Sequence, residues 1–151
     1  MKLIKLTFIM LALGIVVFSS CKKNQVNPQV TTNISFKFNG ASKTATTVFA
    51  TYYTGLNSLQ VIGQISPTEQ IALEIDTVKT KTFDLGNSGV IASYSPDNTF
   101  KNTYFGTNGT ITITTFTNNA VSGTFNFTGQ DSSKVVGTVT QGTFSAPLIK
   151  L

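Results

Sequence analysis

The sequence predicts an all-β fold, an antiparallel sandwich or barrel of about eight to ten strands. Three observations predict it. Apolar and polar residues alternate with period two in many short segments, turn residues separate these segments at regular spacing, and helical spacing is missing from the chain after the first 20 residues. Those first 20 residues instead predict the helix of a signal peptide.

The first half of the body contains the earliest predicted strands. Residues 34–40 alternate and end in Asn-Gly, a strong turn signal. Residues 44–53 carry apolar groups on both faces, which predicts a strand that is buried on both faces, is covered by a loop, or offers a binding surface. Residues 58–65 and 71–75 are joined by a Ser-Pro-Thr turn and predict a hairpin. The polar segment 95–102 predicts a mobile loop.

The carboxyl-terminal third predicts an antiparallel meander. Residues 110–114 alternate strictly, and residues 121–128 alternate again after an Asn-Asn turn. Residues 134–140 and 143–147 then predict two further strands, joined through Gln141-Gly142. Short turns between successive strands are typical of neighbouring antiparallel pairs.

The amino-terminal leader has the three-part layout of a cleavable signal peptide, predicted to cover residues 1–20. Lys2 and Lys5 precede the run Leu6–Phe18, which is apolar except for Thr7, and two small serines follow it. A spanning helix needs about 20 apolar residues, and this run is shorter. We therefore expect export with cleavage, and not a permanent transmembrane helix.

The leader ends in Phe18-Ser19-Ser20-Cys21, which resembles the lipoprotein box of bacteria. That resemblance implies lipid attachment at the thiol of Cys21 and palmitate among the acyl chains, with the membrane as a partner through the anchor. Phe18 departs from the pattern, in which leucine is commonest. The alternative is an ordinary secretion signal with an unpaired cysteine. Cys21 is the single cysteine of the sequence, so an intramolecular disulfide is excluded.

Residues 21–32 predict a flexible polar tether that starts at the lipidated cysteine, and residues 33–151 predict a single all-β domain. The net charge of +5 comes mostly from the leader and the tether, because four of the eleven lysines lie at positions 2, 5, 22 and 23. Seven lysines remain against six acidic residues, and arginine is absent from the sequence. A nucleic-acid partner is therefore not expected.

The chemistry open to this chain is narrow because the sequence has no histidine. Ser-His-Asp catalysis and histidine-ligated metals are excluded, so we predict no catalytic, cofactor-binding or metal residue and a protein that is not an enzyme. The alternative is a carboxylate-dependent glycan hydrolase that uses Glu74 and Asp76, which lie two apart on one predicted strand face. Alternation places the pair opposite Ile71, Leu73 and Ile75, on the solvent side, so the sequence favours a solvated face.

Aromatic residues supply the candidate ligand contacts. Phe49, Tyr53, Tyr94 and Tyr104 are candidates to line a groove for a glycan or an apolar ligand. The alternative, which the sequence favours, is that they pack in the core, since there is no tryptophan to supply bulk. Around Thr77, the sequence Asp-Thr-Val resembles the short motif at which Bacteroidota O-glycosylate exported proteins, so Thr77 is a candidate for that modification.

The order of these features is similar to that of small Bacteroidota cell-envelope lipoproteins that carry an all-β domain of unknown function. The resemblance is carried by the lipoprotein box, the tether, Phe36-Lys37-Phe38-Asn39-Gly40, the run 121–127 and the closing Gly142-Thr143-Phe144. It implies a lipid-anchored outer-membrane location, facing the periplasm or the cell surface. The β domain would then bind a ligand or an envelope protein, or have a structural role.

Overall fold

The structure is a computed structural model that describes residues 30–151. The signal peptide, Cys21 and most of the predicted tether lie outside these residues. The described part forms ten strands and one short 3-10 helix, Phe100–Asn102. The strands are β1 (Asn33–Phe38), β2 (Ala41–Thr44), β3 (Thr47–Tyr53), β4 (Ser58–Ser66), β5 (Glu69–Ile75), β6 (Thr82–Asp84), β7 (Val90–Ser95), β8 (Tyr104–Phe116), β9 (Ala120–Gln130) and β10 (Val136–Lys150). The predicted all-β class is confirmed.

Within the described residues, seven strands close into a barrel in the order β3-β4-β5-β7-β8-β9-β10 and back to β3. Closure depends on two narrow junctions. Leu148–Lys150 of β10 pair in parallel with Ala50–Tyr52 of β3, and Ser93 and Tyr94 of β7 pair with Phe105 and Tyr104 of β8. The other neighbours in the ring pair antiparallel over longer stretches. Of the two predicted architectures, the barrel is the one found.

The remaining three strands of the described residues add to the barrel from outside the ring. β1 pairs with residues 139–145 of β10, and β2 pairs with β1. Further along the same edge of β10, residues 148–150 pair with β3. β6 pairs with residues 110–112 of β8. The predicted hairpin of β4 and β5 is confirmed, and so is the meander of β8, β9 and β10.

One detail of the predicted meander is wrong. The two strands predicted at 134–140 and 143–147 are a single strand, β10, interrupted by a bulge between Val139 and Gly142. Gln141 lies in the bulge with a φ of 54°. Since a bulge adds a residue without ending the pairing, the turn-like Gln141-Gly142 pair bends the strand instead of terminating it.

Two Gly-Thr-Phe tripeptides, residues 123–125 of β9 and 142–144 of β10, pair antiparallel with each other. The register places Gly142 opposite Phe125 and Phe144 opposite Gly123. Each phenylalanine ring therefore covers the glycine of the other strand, and both rings are buried. An aromatic ring over a cross-strand glycine fills the space that the missing side chain leaves.

The barrel interior is filled by inward-facing side chains of alternating residues. On β3, Ala50 is buried and Val48 and Tyr52 pack against the core, while Phe49 faces outward. Aromatic rings of β1, β7 and β8 form one cluster: the Phe38 ring centroid lies 4.4 Å from that of Tyr94 and 5.0 Å from that of Tyr104. In the described residues, no helix is long and apolar enough to cross a membrane.

Candidate ligand-binding groove

The structure does not bring the four predicted ligand-contact aromatics together. Tyr94 is 1% exposed, and its ring packs edge-on against Phe36 in the core. Tyr104 is partly buried against the same cluster. Phe49 and Tyr53 lie on the outer face of β3, where Phe49 is 48% exposed beside Ile62 of β4. Core packing, the alternative given above, therefore describes Tyr94 and Tyr104.

A groove of about 270 Å³ lies instead beside two other aromatic residues, Phe100 and Phe105. Phe105 follows Tyr104, the first residue of β8, and because neighbouring residues of a strand face opposite ways, its side chain is outside the barrel. Phe100 belongs to the 3-10 helix, and its ring centroid lies 5.5 Å from that of Phe105 at 50°. Phe100 is 77% exposed and Phe105 is 40% exposed. We call this feature the aromatic groove.

The aromatic groove belongs to a row of outward-facing residues that follows the strand register around the barrel. Phe105 is opposite Gln130 of β9, and Gln130 is opposite Val136 of β10, which is also exposed. In the other direction the row continues from Phe105 through Ser93, Ala72, Ile62 and Phe49. The groove lies where the loop between β7 and β8 places Phe100 beside this row.

That loop, residues 96–103, is closed by hydrogen bonds. The Asp97 carboxylate accepts from the backbone N–H of Thr99 at 3.0 Å, from the Thr99 hydroxyl at 2.7 Å and from the Asn102 side-chain amide. The bonds from the Thr99 side chain and from Asn102 hold the pKa of Asp97 below its usual value. The segment predicted as a mobile loop therefore has a defined hydrogen-bonded form.

A second set of bonds joins this loop to the turn between β9 and β10. Ser132 donates to the backbone carbonyl of Lys101 through both its hydroxyl, at 3.0 Å, and its backbone N–H, at 3.2 Å. The Asp131 carboxylate in turn accepts from the N–H groups of Ser133 and Val135 at 2.8 and 2.9 Å. Phe100 is therefore held over the sheet by bonds from both sides.

Polar side chains line the rest of the aromatic groove: Thr107, Gln130, Asp131, Ser132 and Lys134. The Thr107 hydroxyl donates to the carbonyl of Thr128 at 3.1 Å, which leaves its oxygen free to accept. The Gln130 carboxamide also lines the groove, and a carboxamide can both donate and accept hydrogen bonds. The groove thus combines two phenyl rings with three neutral hydrogen-bonding side chains and one residue of each charge.

The acidic residues of the predicted hydrolase pair lie elsewhere. Glu74 is on the outer face of β5 and accepts a hydrogen bond from Gln60 at 2.9 Å. Asp76 is exposed just after β5 and lines a separate groove of about 250 Å³ together with Asp84, Lys79 and Lys81. Across residues 30–151, no cluster of three or more His, Cys, Asp or Glu side chains is arranged to hold a metal ion.

A charged cluster joins β2, β5 and β7. Glu69 accepts from Lys43 at 2.7 Å and from the Tyr94 hydroxyl at 2.5 Å. Burial by itself would raise the pKa of Glu69, but the bonds from Lys43 and Tyr94 outweigh it and lower the pKa below the usual 4.5. Burial and the bond to Glu69 raise the pKa of Tyr94 well above 10. These three groups satisfy one another, which indicates a structural role.

Thr77, the candidate for O-glycosylation, is exposed in the turn after β5 and has a φ of 56°. Its neighbour Val78 is buried, and the N–H of Val78 donates to the carbonyl of Asn57 at 3.0 Å. The turn therefore presents the Thr77 side chain outward on a fixed backbone.

Sequence reasoning missed Phe100 and Phe105. Phe100 lies in a polar segment whose conformation depends on Asp97. Phe105 was passed over in favour of its neighbour Tyr104, because tyrosine is the more usual ligand-binding residue. The available signal was strand alternation, which places residues 104 and 105 on opposite faces. The predictions for Cys21 and its lipid fall outside the described residues.

Comparison with known proteins gives one match. A family described as a domain of unknown function, DUF6252, matches residues 31–146. The match runs from just before β1 into β10, and it ends before Leu148–Lys150, the residues of β10 that pair with β3. Neither the curated proteins nor the solved structures contain a significant match to this chain.

Proposed function

The chain belongs to the DUF6252 family, and from this premise we propose that it is a lipid-anchored protein of the cell envelope whose barrel binds a ligand without catalysing a reaction. The proposal has two parts, the anchor and the binding surface. They rest on different observations and are tested separately.

The anchor is supported by the leader and the lipoprotein box that ends at Cys21. Two or three acyl chains, each contributing about 0.8 kcal/mol per buried CH2, hold a protein on a membrane essentially permanently. Lys22 and Lys23 follow at once and can contact anionic headgroups at about 1 kcal/mol each. In this proposal the outer membrane carries the anchor, as in the small Bacteroidota lipoproteins that the sequence resembles.

The binding surface is supported above all by the exposure of Phe100 and Phe105 beside a groove whose loops are tied in place. Burying a phenylalanine side chain is worth about 1.5–3 kcal/mol, so an exposed pair is a ready source of binding energy. Because hydrogen bonds already fix the loop, little ordering entropy is lost when a ligand binds.

The groove also lies at the end of the barrel away from the tether. The chain enters β1 at Asn33, which is opposite Ser145 of β10, whereas the groove adjoins Val136 of the same strand. Nine residues of β10 separate these two levels, roughly 25–30 Å at about 3.3 Å per residue. The chain therefore enters β1 at the end of the barrel opposite to the aromatic groove.

Radical footprinting tests the binding surface without knowledge of the ligand. Hydroxyl radicals oxidise exposed phenylalanine and leucine, and mass spectrometry reads the product at each residue. We expect Phe100 and Phe105 to be oxidised less in intact envelopes than in the purified protein. Leu56, 76% exposed in the turn after β3, is the matched control and should not change. Equal oxidation of Phe100 in both samples would reject a ligand at the groove.

A second candidate is a carboxylate-dependent glycan hydrolase. It is favoured by the placement of Asp76 and Asp84 in one groove of about 250 Å³, since glycosidases use two carboxyl groups across the substrate. The test is release of reducing ends from envelope glycans by the wild-type protein and by the double variant Asp76→Asn, Asp84→Asn. Release by the first and not by the second would establish this candidate, and absence of release by the wild type would remove it.

A further inference from the structure

We infer that the ligand of the aromatic groove is a neutral carbohydrate chain, one pyranose ring of which stacks on Phe105. This inference rests on the ligand-binding role proposed above and names the chemical class of the ligand. Three properties of the groove carry it: the two exposed rings, the neutral hydrogen-bonding groups beside them and the balance of charge.

The rings offer the apolar part of the site. One face of a pyranose ring carries C–H bonds and packs against an aromatic face, which carries partial negative charge. Phe105 is fixed on β8 and 40% exposed, and Phe100 meets it at 50°, so the two rings form an angled wall. An angled wall contacts the face of one sugar and the edge of the next.

The polar side chains match the rim of a sugar. Hydroxyl groups both donate and accept, and therefore need partners of both kinds. The Gln130 carboxamide supplies two N–H donors and one acceptor, and it lies directly opposite Phe105 in the strand register. Thr107 and Ser132 already donate to backbone carbonyls, so each offers an acceptor oxygen to the ligand.

The charges around the groove balance. Lys134 and Asp131 both line it, while Lys101 and Asp97 lie in the loop above it. Because two positive groups are matched by two negative ones, a ligand that carries many charges gains little there. This balance disfavours an acidic polysaccharide and a phospholipid headgroup.

The size and openness of the groove fit a segment of a longer chain. At about 270 Å³ it is near the lower limit of small-molecule pockets, which suits about one or two sugar units. Phe100 is 77% exposed, so the wall stands in solvent and a polymer can continue past it on either side. An acyl chain would need an enclosed apolar tunnel, which this surface groove does not provide.

Titration calorimetry of the mature lipoprotein in detergent micelles tests the inference. The neutral probes are maltohexaose, cellohexaose and chitohexaose, and the comparison probes are hexagalacturonate and decanoate. We expect at least one neutral hexasaccharide to bind. Phe105→Ala should weaken that binding about tenfold, and Gln130→Ala severalfold, whereas Phe105→Tyr should keep it within about twofold.

Phe49→Ala is the matched control, because Phe49 is exposed to a similar degree on the opposite part of the same outward row. Its affinity should equal that of the wild type. If Phe105→Ala does not fold by circular dichroism, Phe105→Leu decides, since it keeps an apolar group but removes the ring.

The inference is overturned if no neutral hexasaccharide binds, if only hexagalacturonate or decanoate binds, or if neutral binding survives the loss of the Phe105 ring. Its failure is distinguishable from failure of the proposed function. Absence of sugar binding together with protection of Phe100 in envelopes would leave the binding role intact with another ligand. If no sugar binds and Phe100 is not protected in envelopes either, the binding role is rejected as well.

Discussion

Replacement of Gly123 by alanine probes the reciprocal packing of β9 and β10. A methyl group at position 123 would lie 2.1 Å from the backbone oxygen of Thr112 and 2.7 Å from the Phe144 ring. The Thr112 carbonyl belongs to the backbone of β8, so it cannot retreat without disturbing the pairing of β8 and β9. Gly142 is confined in the same way, with the Phe125 ring 2.6 Å from the added methyl group.

The expected cost follows from these contacts. Overpacking a filled core costs about 1–3 kcal/mol, and one strained backbone hydrogen bond adds about 1 kcal/mol. We therefore expect Gly123→Ala to lower the free energy of unfolding by about 3 kcal/mol, and the melting temperature by roughly 10 °C for a domain of this size. Since the sequence has no tryptophan, urea unfolding is best followed by circular dichroism.

Gly55→Ala provides the matched control, because a methyl group at that position would meet no atom within 4 Å. Its free energy of unfolding should stay within about 0.5 kcal/mol of the wild type. In the double variant Gly123→Ala, Phe144→Leu, part of the loss should be recovered relative to the sum of the single changes. A Gly123→Ala protein as stable as the wild type would refute the reasoning from reciprocal packing.

Three further predictions concern charge, the loop and modification. Glu69→Gln should lower stability by about 1 kcal/mol at neutral pH. Because the pKa of Glu69 is lowered in the folded state, the wild type should lose this stability as pH falls below 4.5, whereas the variant should show a smaller change there in acid unfolding. Asp97→Ala should speed hydrogen exchange at the Thr99 amide, and an unchanged rate would contradict the loop geometry. If Thr77 is O-glycosylated, the intact mass will exceed that of polypeptide plus lipid and Thr77→Val will remove the excess; a mass without excess rejects modification.

Alternation predicted most of the strands because it reports directly which side of a strand is buried. It located β1, β4, β5 and β9 well, since buried residues alternate with less buried ones along each of them. It missed β2, whose side chains are mostly exposed. It also could not choose between sandwich and barrel, because that choice depends on the parallel pairing of Leu148–Lys150 with β3, a contact between distant parts of the chain.

The candidate site was less accessible from the sequence. Whether an aromatic residue lies in the core or on the surface depends on its strand face and on what packs over that face. Tyr94 lies inside because β1 brings Phe36 and Phe38 against it. Phe100 lies outside because hydrogen bonds to Asp97 and from Ser132 hold its loop over the sheet. The Asp97 bonds are local, but the bond from Ser132 and the contacts of Tyr94 with β1 join residues far apart in the chain, and local patterns do not record them.

Metabolic labelling at Cys21 tests the central claim, a lipid-anchored envelope protein, most directly. Cells that express the full chain are grown with an alkyne analogue of palmitate, and the protein is followed in the membrane and soluble fractions. We expect the wild type to carry the label in the membrane fraction, and Cys21→Ser to lose the label and leave that fraction. A wild-type protein without label, or a Cys21→Ser protein that stays membrane-bound, would contradict the account.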